Sequence, residues 1–239
     1  MEILRTENLG KKFGENWVLR DVNLEFYEGE ITIISGPNGS GKTTFIKSIL
    51  GLVVPSKGRI LFKGKDVAGE SEYRRYLGYM PQIPKFPENL TPKEIFSLMR
   101  EIYGKDRVED PQRYIEEFSL RDFWDKPVGT LSGGTRQKMS ASLCLSVKAH
   151  VYFLDEPNAS LDPKSSVVLK EEILRKKSEG TSFVIITHII SSFEDIADRL
   201  IYFLEGRVKF VGEIESLKRI TGENDLERAI ARMEDVEDL

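Results

Sequence analysis

Gly36-Pro37-Asn38-Gly39-Ser40-Gly41-Lys42-Thr43-Thr44 is a glycine-rich loop set between an apolar run and an amphipathic one. Before it, Ile31-Thr32-Ile33-Ile34 is a short β-branched run, the pattern of a buried strand. After it, Phe45-Ile46-Lys47-Ser48-Ile49-Leu50 keeps apolar residues at helical spacing and stops at Gly51, which predicts a helix with a glycine C-cap. A strand, a glycine loop and a helix form the context in which G-x-x-x-x-G-K-[ST] builds a phosphate site. Gly36, Gly39 and Gly41 let the backbone curl so that successive N–H groups of the loop, from Asn38 through Ser40 to Thr44, face one anion. The helix N-terminus adds about half a positive charge at the same point. Lys42 would reach the β- and γ-phosphates, and the Thr43 hydroxyl would ligate Mg²⁺. The chain is expected to bind a nucleoside triphosphate.

The totals set the frame for this loop. At 239 residues the chain is long for one domain and short for two, which favours a core with an inserted subdomain. Its 40% hydrophobic content supports a proper core, and its 31% charged content a soluble surface. A net charge of −4 argues against general nucleic-acid binding. Cys144 is the one cysteine, so no internal disulfide can form; its Leu143-Cys144-Leu145 setting reads as core, and the usage fits a reducing cytoplasm. No apolar run approaches the ~20 residues needed to cross a bilayer. Met1-Glu2-Ile3-Leu4-Arg5-Thr6 lacks the basic start and apolar stretch of a signal peptide. A cytoplasmic location is expected.

Residues 1–35 read as β-rich, with strands at Ile3 to Leu9, Trp17 to Phe26 and Ile31 to Ser35 and turns at Gly14 and Glu28-Gly29. Gly58 to Phe62 and Leu77 to Met80 are further strands. From Ile83 to Thr130 prolines punctuate helical patterns. Thr91 is an N-cap with Pro92 at the first helical position, and Ile95, Phe96, Leu98, Met99 and Ile102 supply the apolar face. The α/β alternation then resumes. It gives a helix from Ser132 to Lys148, a strand Val151 to Asp155, an exposed charged helix Pro163 to Ser178 and a strand Phe183 to Thr187. A helix Ile189 to Ala197, strands Leu200 to Leu204 and Val208 to Val211, and a closing helix Glu213 to Ile220 follow. Such alternation implies a mainly parallel sheet. The acidic tail from Glu223 reads as a solvated helix.

Val151-Tyr152-Phe153-Leu154-Asp155-Glu156 is an apolar strand ending in two carboxylates. Beside a glycine loop, Asp155 would hold Mg²⁺ and Glu156 would polarise the water that attacks the γ-phosphate. Leu131-Ser132-Gly133-Gly134-Thr135-Arg136-Gln137-Lys138 offers a second anion site: Ser132 caps a helix, and Gly133 and Gly134 allow close backbone approach. This stretch resembles the LSGGQ signature of the ATP-binding cassette (ABC) family, with Thr135 in the usual glutamine position. Further family motifs stand in order, so the resemblance covers almost the whole chain.

That resemblance implies a single ABC ATPase domain over 1–239. Its α/β P-loop NTPase (RecA-like) core, with an N-terminal antiparallel β subdomain, would occupy 1–82 and 131–222. An inserted α-helical subdomain would occupy 83–130, and an acidic tail 223–239. Gln82 matches the glutamine that approaches Mg²⁺ and water, and His188 the histidine that contacts the γ-phosphate. Asn158-Ala159-Ser160-Leu161-Asp162 matches the D-loop, whose aspartate organises a dimer interface. Phe13 fits the aromatic that stacks on adenine, with Trp17 the alternative. His150 matches no role and reads as structural. Asn158 stands where the family often has Thr, and Ile189-Ile190 where a polar or acidic residue is common.

The resemblance further implies that two copies sandwich two Mg-ATP head to tail, the signature of one facing the loop of the other, and that they drive a separate membrane permease. The chain would then lie at the inner face of the membrane through that partner, with Ile83, Phe86 and Phe96 as candidates for the docking groove or, equally, for subdomain core. The alternative is a soluble ABC ATPase with a non-transport role such as iron–sulfur cluster assembly. A nucleotide-binding regulator without turnover is disfavoured by the presence of Glu156.

Overall fold

The computed structural model describes residues 1–235. It forms two compact units, Met1–Tyr73 with Val184–Leu239, and Arg74–Phe183.

In the first unit, β1 (Glu2–Phe13) and β2 (Asn16–Tyr27) make a long antiparallel hairpin. Gly14 turns it with a φ of +55°. Together with β4 (Lys57–Phe62) and the short β5 (Lys65–Asp66), these strands build an antiparallel sheet in the order β2-β1-β4-β5. A second sheet contains β3 (Ile31–Ser35), whose five residues are all buried. β9 (Arg199–Leu204) pairs with it in parallel, and β10 (Arg207–Gly212) extends β9 antiparallel. β8 (Ser182–Ile186), which enters this unit at Val184, continues the order as β10-β9-β3-β8.

Helix α1 (Lys42–Ile49) is held between the two sheets by its buried Phe45, Ile46 and Ile49. The Phe45 ring lies 6.2 Å from Phe26 of β2 and 5.4 Å from Phe203 of β9. The helix stops where the sequence places its glycine. Gly51 has a φ of +67°, and the Leu52 N–H donates to Lys47 O at 2.8 Å, a glycine-closed C-terminus. Helices α6 (Ile214–Thr221) and α7 (Leu226–Asp235) close the unit.

In the second unit, β6 (Leu77–Met80) pairs in parallel with β7 (Val151–Asp155), register Leu77↔Val151 to Met80↔Leu154. Helix α2 (Pro92–Tyr103) opens with a complete capping box: Thr91 Oγ1 accepts the Glu94 N–H, and Glu94 Oε2 accepts the Thr91 N–H. Helices α3 (Pro111–Glu117), α4 (Gly133–Ser146) and α5 (Pro163–Ser178) follow, capped by Asp110, Ser132 and Asp162. Ile95, Phe96, Val128, Leu131, Met139 and Leu143 form one core cluster, with Phe96 against Trp124 at 5.3 Å.

Several expectations are corrected. Ile189–Ala197 is no helix: only Ile190–Ser192 makes a 3-10 turn, followed by bonds from Phe193 onward to carbonyls three and four residues back. Two β-branched residues followed by two serines give weak helix propensity, and the segment is too short to compensate. The apolar stripe of α2 is narrower than its spacing suggests; Ile95 and Phe96 are buried, but Leu98 and Ile102 are exposed. Phe96 is therefore core and cannot line a groove, whereas Ile83 is 71% exposed. α5 is not simply an exposed helix, because Leu169, Glu172, Ile173 and Lys176 are buried. Over 226–233 the C-terminal segment is not merely solvated either: Leu226, Ala229 and Met233 are buried. The rest of the acidic tail, from residue 236 on, lies outside the described residues.

Candidate functional site

In the first unit β3 delivers the chain into the glycine loop and α1 carries it away. Gly36 has a φ of +141°, and a Cβ built there would lie 2.1 Å from the Phe203 carbonyl oxygen, a backbone atom of β9. No side chain fits at that position. Gly41, at φ +103°, would meet the Val18 carbonyl at 2.7 Å. Gly39, at φ +82° in open space, is required for its conformation alone. Gly41 caps α1 without a side-chain hydrogen bond, and the first turn of the helix carries no acidic residue. The positive end of the helix dipole is thus left to an external anion.

Lys42 is buried, and its Nζ donates to Gly36 O at 2.7 Å, to Pro37 O at 2.8 Å and to Ser40 Oγ at 3.4 Å. These bonds hold the ammonium inside the loop, where phosphate oxygens would compete with the carbonyls for it. Asn38 and Gly39 form the exposed tip, while Thr43 and Thr44 are half-buried in the first turn of α1.

His188 follows β8 in a tight turn in which the Ile189 N–H donates to Thr187 Oγ1 at 3.1 Å. A cavity of about 360 Å³ is lined by Gly36, Pro37, His188 and Tyr202, and by Asp225 and Glu227 from the start of α7. The structure thus brings His188 beside the entrance of the glycine loop. The contribution of α7 is not foreseen in the sequence, although the period of Leu226, Ala229 and Met233 marks a helix with a face to bury. Phe13 ends β1 opposite Asn16 and is 50% exposed, with Lys11 Nζ 4.8 Å from its ring centroid. Trp17 is more covered, and Lys57 Nζ stands 5.2 Å from its ring.

In the second unit the pairing of β6 and β7 ends at Met80↔Leu154, so Pro81-Gln82 and Asp155-Glu156 follow directly at the C-terminal ends of the two parallel strands. Asp155 is buried; Gln82 is exposed. Burial, and then the Asp155 charge, push the Tyr79 hydroxyl up to about 12. Glu156 has a φ of +49°, in the left-handed region, and its carbonyl accepts the Ala159 N–H at 3.0 Å to close a turn. Strained non-glycine backbone of this kind gathers at functional sites.

Ser132 Oγ accepts the Thr135 N–H at 3.1 Å and shares a hydrogen bond with Thr135 Oγ1 at 2.8 Å. Thr135, which departs from the signature pattern, therefore closes onto the capping serine. A Cβ on Gly133 would meet nothing, whereas one on Gly134 would lie 2.9 Å from Ser160 O. Asp162 caps α5 by accepting the Ser165 N–H at 3.0 Å, and it also holds Lys138 Nζ at 2.5 Å. The Lys138 hydrogen bond, with the Ser165 N–H second, keeps the Asp162 carboxyl well below the usual carboxylate range. Lys138 escapes the sequence reading because a lysine one turn into a helix carries no signal of its own.

Two residues without a role in the motifs prove structural. The His150 ring packs edge-on to Tyr76 at 5.1 Å, and burial raises the Cys144 thiol to about 12. Each unit, taken by itself, carries a hard oxygen donor of the kind Mg²⁺ takes, the Thr43 hydroxyl in the first and the Asp155 carboxylate in the second. Among the described residues no group of three or more His, Cys, Asp or Glu side chains could hold a metal. Mg²⁺ suits such a setting, since it is usually bound by one or two carboxylates together with substrate phosphates and water.

A buried parallel strand running into a glycine loop that admits no Cβ, then a helix with an open N-terminus, defines a P-loop NTPase. The ABC transporter family model matches residues 19–159. The probable branched-chain amino acid transport ATP-binding protein LivF of Archaeoglobus fulgidus is 32% identical, over 90% of this chain and 94% of that one. The molybdate/tungstate import ATP-binding protein WtpC of Pyrococcus horikoshii is 32% identical over 90% of this chain and 63% of that one. A solved ATP-binding subunit of an ABC transporter superposes with a TM-score of 0.90 at 29% identity, over 98% of this chain and 100% of that one. The chain belongs to the ABC transporter family, as an ATP-binding subunit. Among the described residues no helix is long and apolar enough to cross a membrane.

Proposed function

We propose that this chain hydrolyses ATP and drives a separate membrane permease, to which it docks from the cytoplasm. The observation that carries the reading is the glycine loop, with a Gly36 that tolerates no Cβ, a buried Lys42 and an uncapped α1 N-terminus. Phe13 stacks on the adenine; the loop N–H groups from Asn38 to Thr44 and the Lys42 ammonium hold the β- and γ-phosphates. Thr43, Asp155 and Gln82 would hold Mg²⁺, which when bound would neutralise phosphate charge. Glu156 takes a proton from the attacking water, and His188 donates a hydrogen bond to the γ-phosphate.

Ser132, Gly133 and Gly134 present a second anion site to the nucleotide of a partner copy, and Asp162 lies at that interface. Two copies in head-to-tail symmetry enclose two nucleotides, and loss of the γ-phosphate opens them. Residues 83–130 act as the helical subdomain that carries the motion, with exposed Ile83 on its permease-facing edge. The names of relatives favour transport over a soluble, non-transport role, since LivF is named for branched-chain amino acid transport and WtpC for molybdate/tungstate import.

Glu156→Gln tests the reading. Turnover is expected to fall by roughly 10² to 10⁴-fold, the range for a general acid–base group. ATP binding should persist, and light scattering should show a dimer only with Mg-ATP. Undiminished turnover would remove Glu156 from the mechanism. A monomer at every nucleotide concentration would remove the homodimer.

A further inference from the structure

Helix α4 and the loop that ends at Asp162 lie along each other. Gly134 faces the Ser160 carbonyl, and Lys138 reaches Asp162. Gln137 shares that helix face, three residues beyond Gly134 and one before Lys138. It is 2% exposed, and its Nε2 is buried without a hydrogen-bond partner. On the loop side, Asn158 Oδ1 is also buried without a partner. One atom is a donor and the other an acceptor, and they belong to two segments already in contact. The other buried side-chain atoms without partners among the described residues are arginine Nε atoms, of Arg5, Arg100 and Arg107. Folded proteins pair nearly all such groups, and an exception calls for a physical reason.

We infer that Gln137 and Asn158 are a positioning pair, whose amides meet directly or through one water as the loop settles onto α4 during ATP turnover. The inference rests on the ATPase reading above. Asn158 is well placed to act on the reaction. Its carbonyl accepts the Leu161 N–H at 3.1 Å, and the turn containing it is closed back on Glu156 O by the Ala159 N–H. The backbone is in the left-handed region at both Glu156 (φ +49°) and Ser160 (φ +66°). A small shift at Asn158 is therefore passed to Glu156 two residues upstream. If these positions served packing alone, leucine and methionine would fill them without burying an unpaired amide. Amides at both sites point to a contact made in another arrangement of the same loop. This also gives the departure at Asn158 a physical role.

The test uses the full chain with Gln137→Met, Asn158→Leu, the double variant, and Asn158→Thr, which keeps an oxygen that a water can bridge. Steady-state kcat and KM for Mg-ATP are measured, and Tm without nucleotide. Each apolar single variant is expected to lose about tenfold in kcat with KM within about twofold, and the double variant should lose no more than either, as coupled residues do. Asn158→Thr should recover most of the rate. Tm without nucleotide should hold or rise, because each apolar replacement removes a buried polar atom that has no partner. A Tm that falls in step with kcat would overturn the inference in favour of a static structural bond. Losses that multiply in the double variant, or an unchanged kcat, would overturn it as well. A parent chain that turns over ATP while the variants match it refutes the pair alone. A parent without turnover refutes the ATPase reading and the pair together.

Discussion

Glu172→Ala is the perturbation whose size the structure defines best. Glu172 lies on α5 with its side chain 1% exposed. Its carboxylate accepts hydrogen bonds from Arg113 Nη2 at 2.5 Å, Arg175 Nη2 at 2.6 Å, Arg175 Nε at 2.8 Å and the Tyr114 hydroxyl at 3.0 Å. Lys176 Nζ, itself nearly fully buried, stands 3.8 Å away and bonds Glu109 at 2.6 Å. Removing the carboxylate leaves Tyr114 satisfied, since its hydroxyl also reaches Leu145 O and Glu109. What is left is positive charge with less compensation: Arg113 keeps Glu117, Arg175 keeps Glu179 and Lys176 keeps Glu109, but the buried carboxylate that the two arginines share is gone.

Breaking a buried ion pair from one side costs about 3–5 kcal/mol. The side chains of Arg113 and Arg175 are 41% and 31% exposed, so water takes up part of their charge and the low end, about 3 kcal/mol, applies. In a chain of this size each kcal/mol moves Tm by ~2–4 °C, so a fall of ~6–12 °C is expected. Thermal unfolding followed by circular dichroism or calorimetry measures it, and Glu172→Gln, which keeps an acceptor, should fall between parent and Ala. A Glu172→Ala Tm within ~2 °C of the parent would refute the claim that this carboxylate compensates the cluster.

The same network fixes the sign of a pH effect. Burial alone would raise the Glu172 pKa, but the hydrogen bonds from Arg175 and Tyr114 and the arginine charges outweigh it, and the net shift is downward. A depressed folded-state pKa contributes stability that is complete above the unfolded pKa and is lost as pH falls through the folded one. The Tm gap between parent and Glu172→Ala should therefore be constant from about pH 6 to 8 and close below the ordinary glutamate pKa near ~4.3. A gap that widens in acid would contradict the assignment.

Three further predictions concern the first unit. Lys42→Ala should abolish ATP binding measured with a fluorescent analogue, and retained affinity would contradict its phosphate role. Phe13→Ala should weaken ATP binding by roughly 2- to 13-fold, the equivalent of an aromatic stack worth about 0.5–1.5 kcal/mol, with kcat little changed. A larger loss in Trp17→Ala would move the base to that ring. Gly36→Ala should lose nucleotide binding and yield less folded protein, because its methyl collides with the Phe203 carbonyl, a backbone atom that cannot swing away. Wild-type binding in that variant would mean that β9 yields more easily than its packing on β3 implies.

The glycine loop was legible because its constraints are local. Strand, loop and helix are contiguous, and Gly36, Gly39 and Gly41 mark backbone conformations that other residues resist. The caps at Thr91 and Ser132 were legible for the same reason, since each side chain bonds a backbone N–H three residues away; Asp162 caps α5 in the same way, a role its sequence setting did not suggest. What escaped depends on partners distant in sequence. The charges of α5 read as a solvated face, yet Glu172 meets Arg113 across 59 residues and Lys176 meets Glu109 across 67. No periodicity in α5 announces a buried carboxylate, because Arg175 alone of its hydrogen-bond partners is near in sequence, while Arg113 and Tyr114 come from α3.

The same distinction explains why the departures from the family pattern resisted interpretation in sequence. Thr135 and Asn158 each look like a lost residue when set against a motif. In space Thr135 sits within one turn of Ser132, so its hydroxyl has a partner that local reasoning can supply. Asn158 Oδ1 has no hydrogen-bond partner, and the helix beside its loop is placed by the contact of Gly134 with Ser160 and the pairing of Lys138 with Asp162. A motif read one residue at a time treats the signature helix and the loop before α5 as separate elements. Their packing makes them one, and a substitution in either has to be judged by what the other offers across the contact.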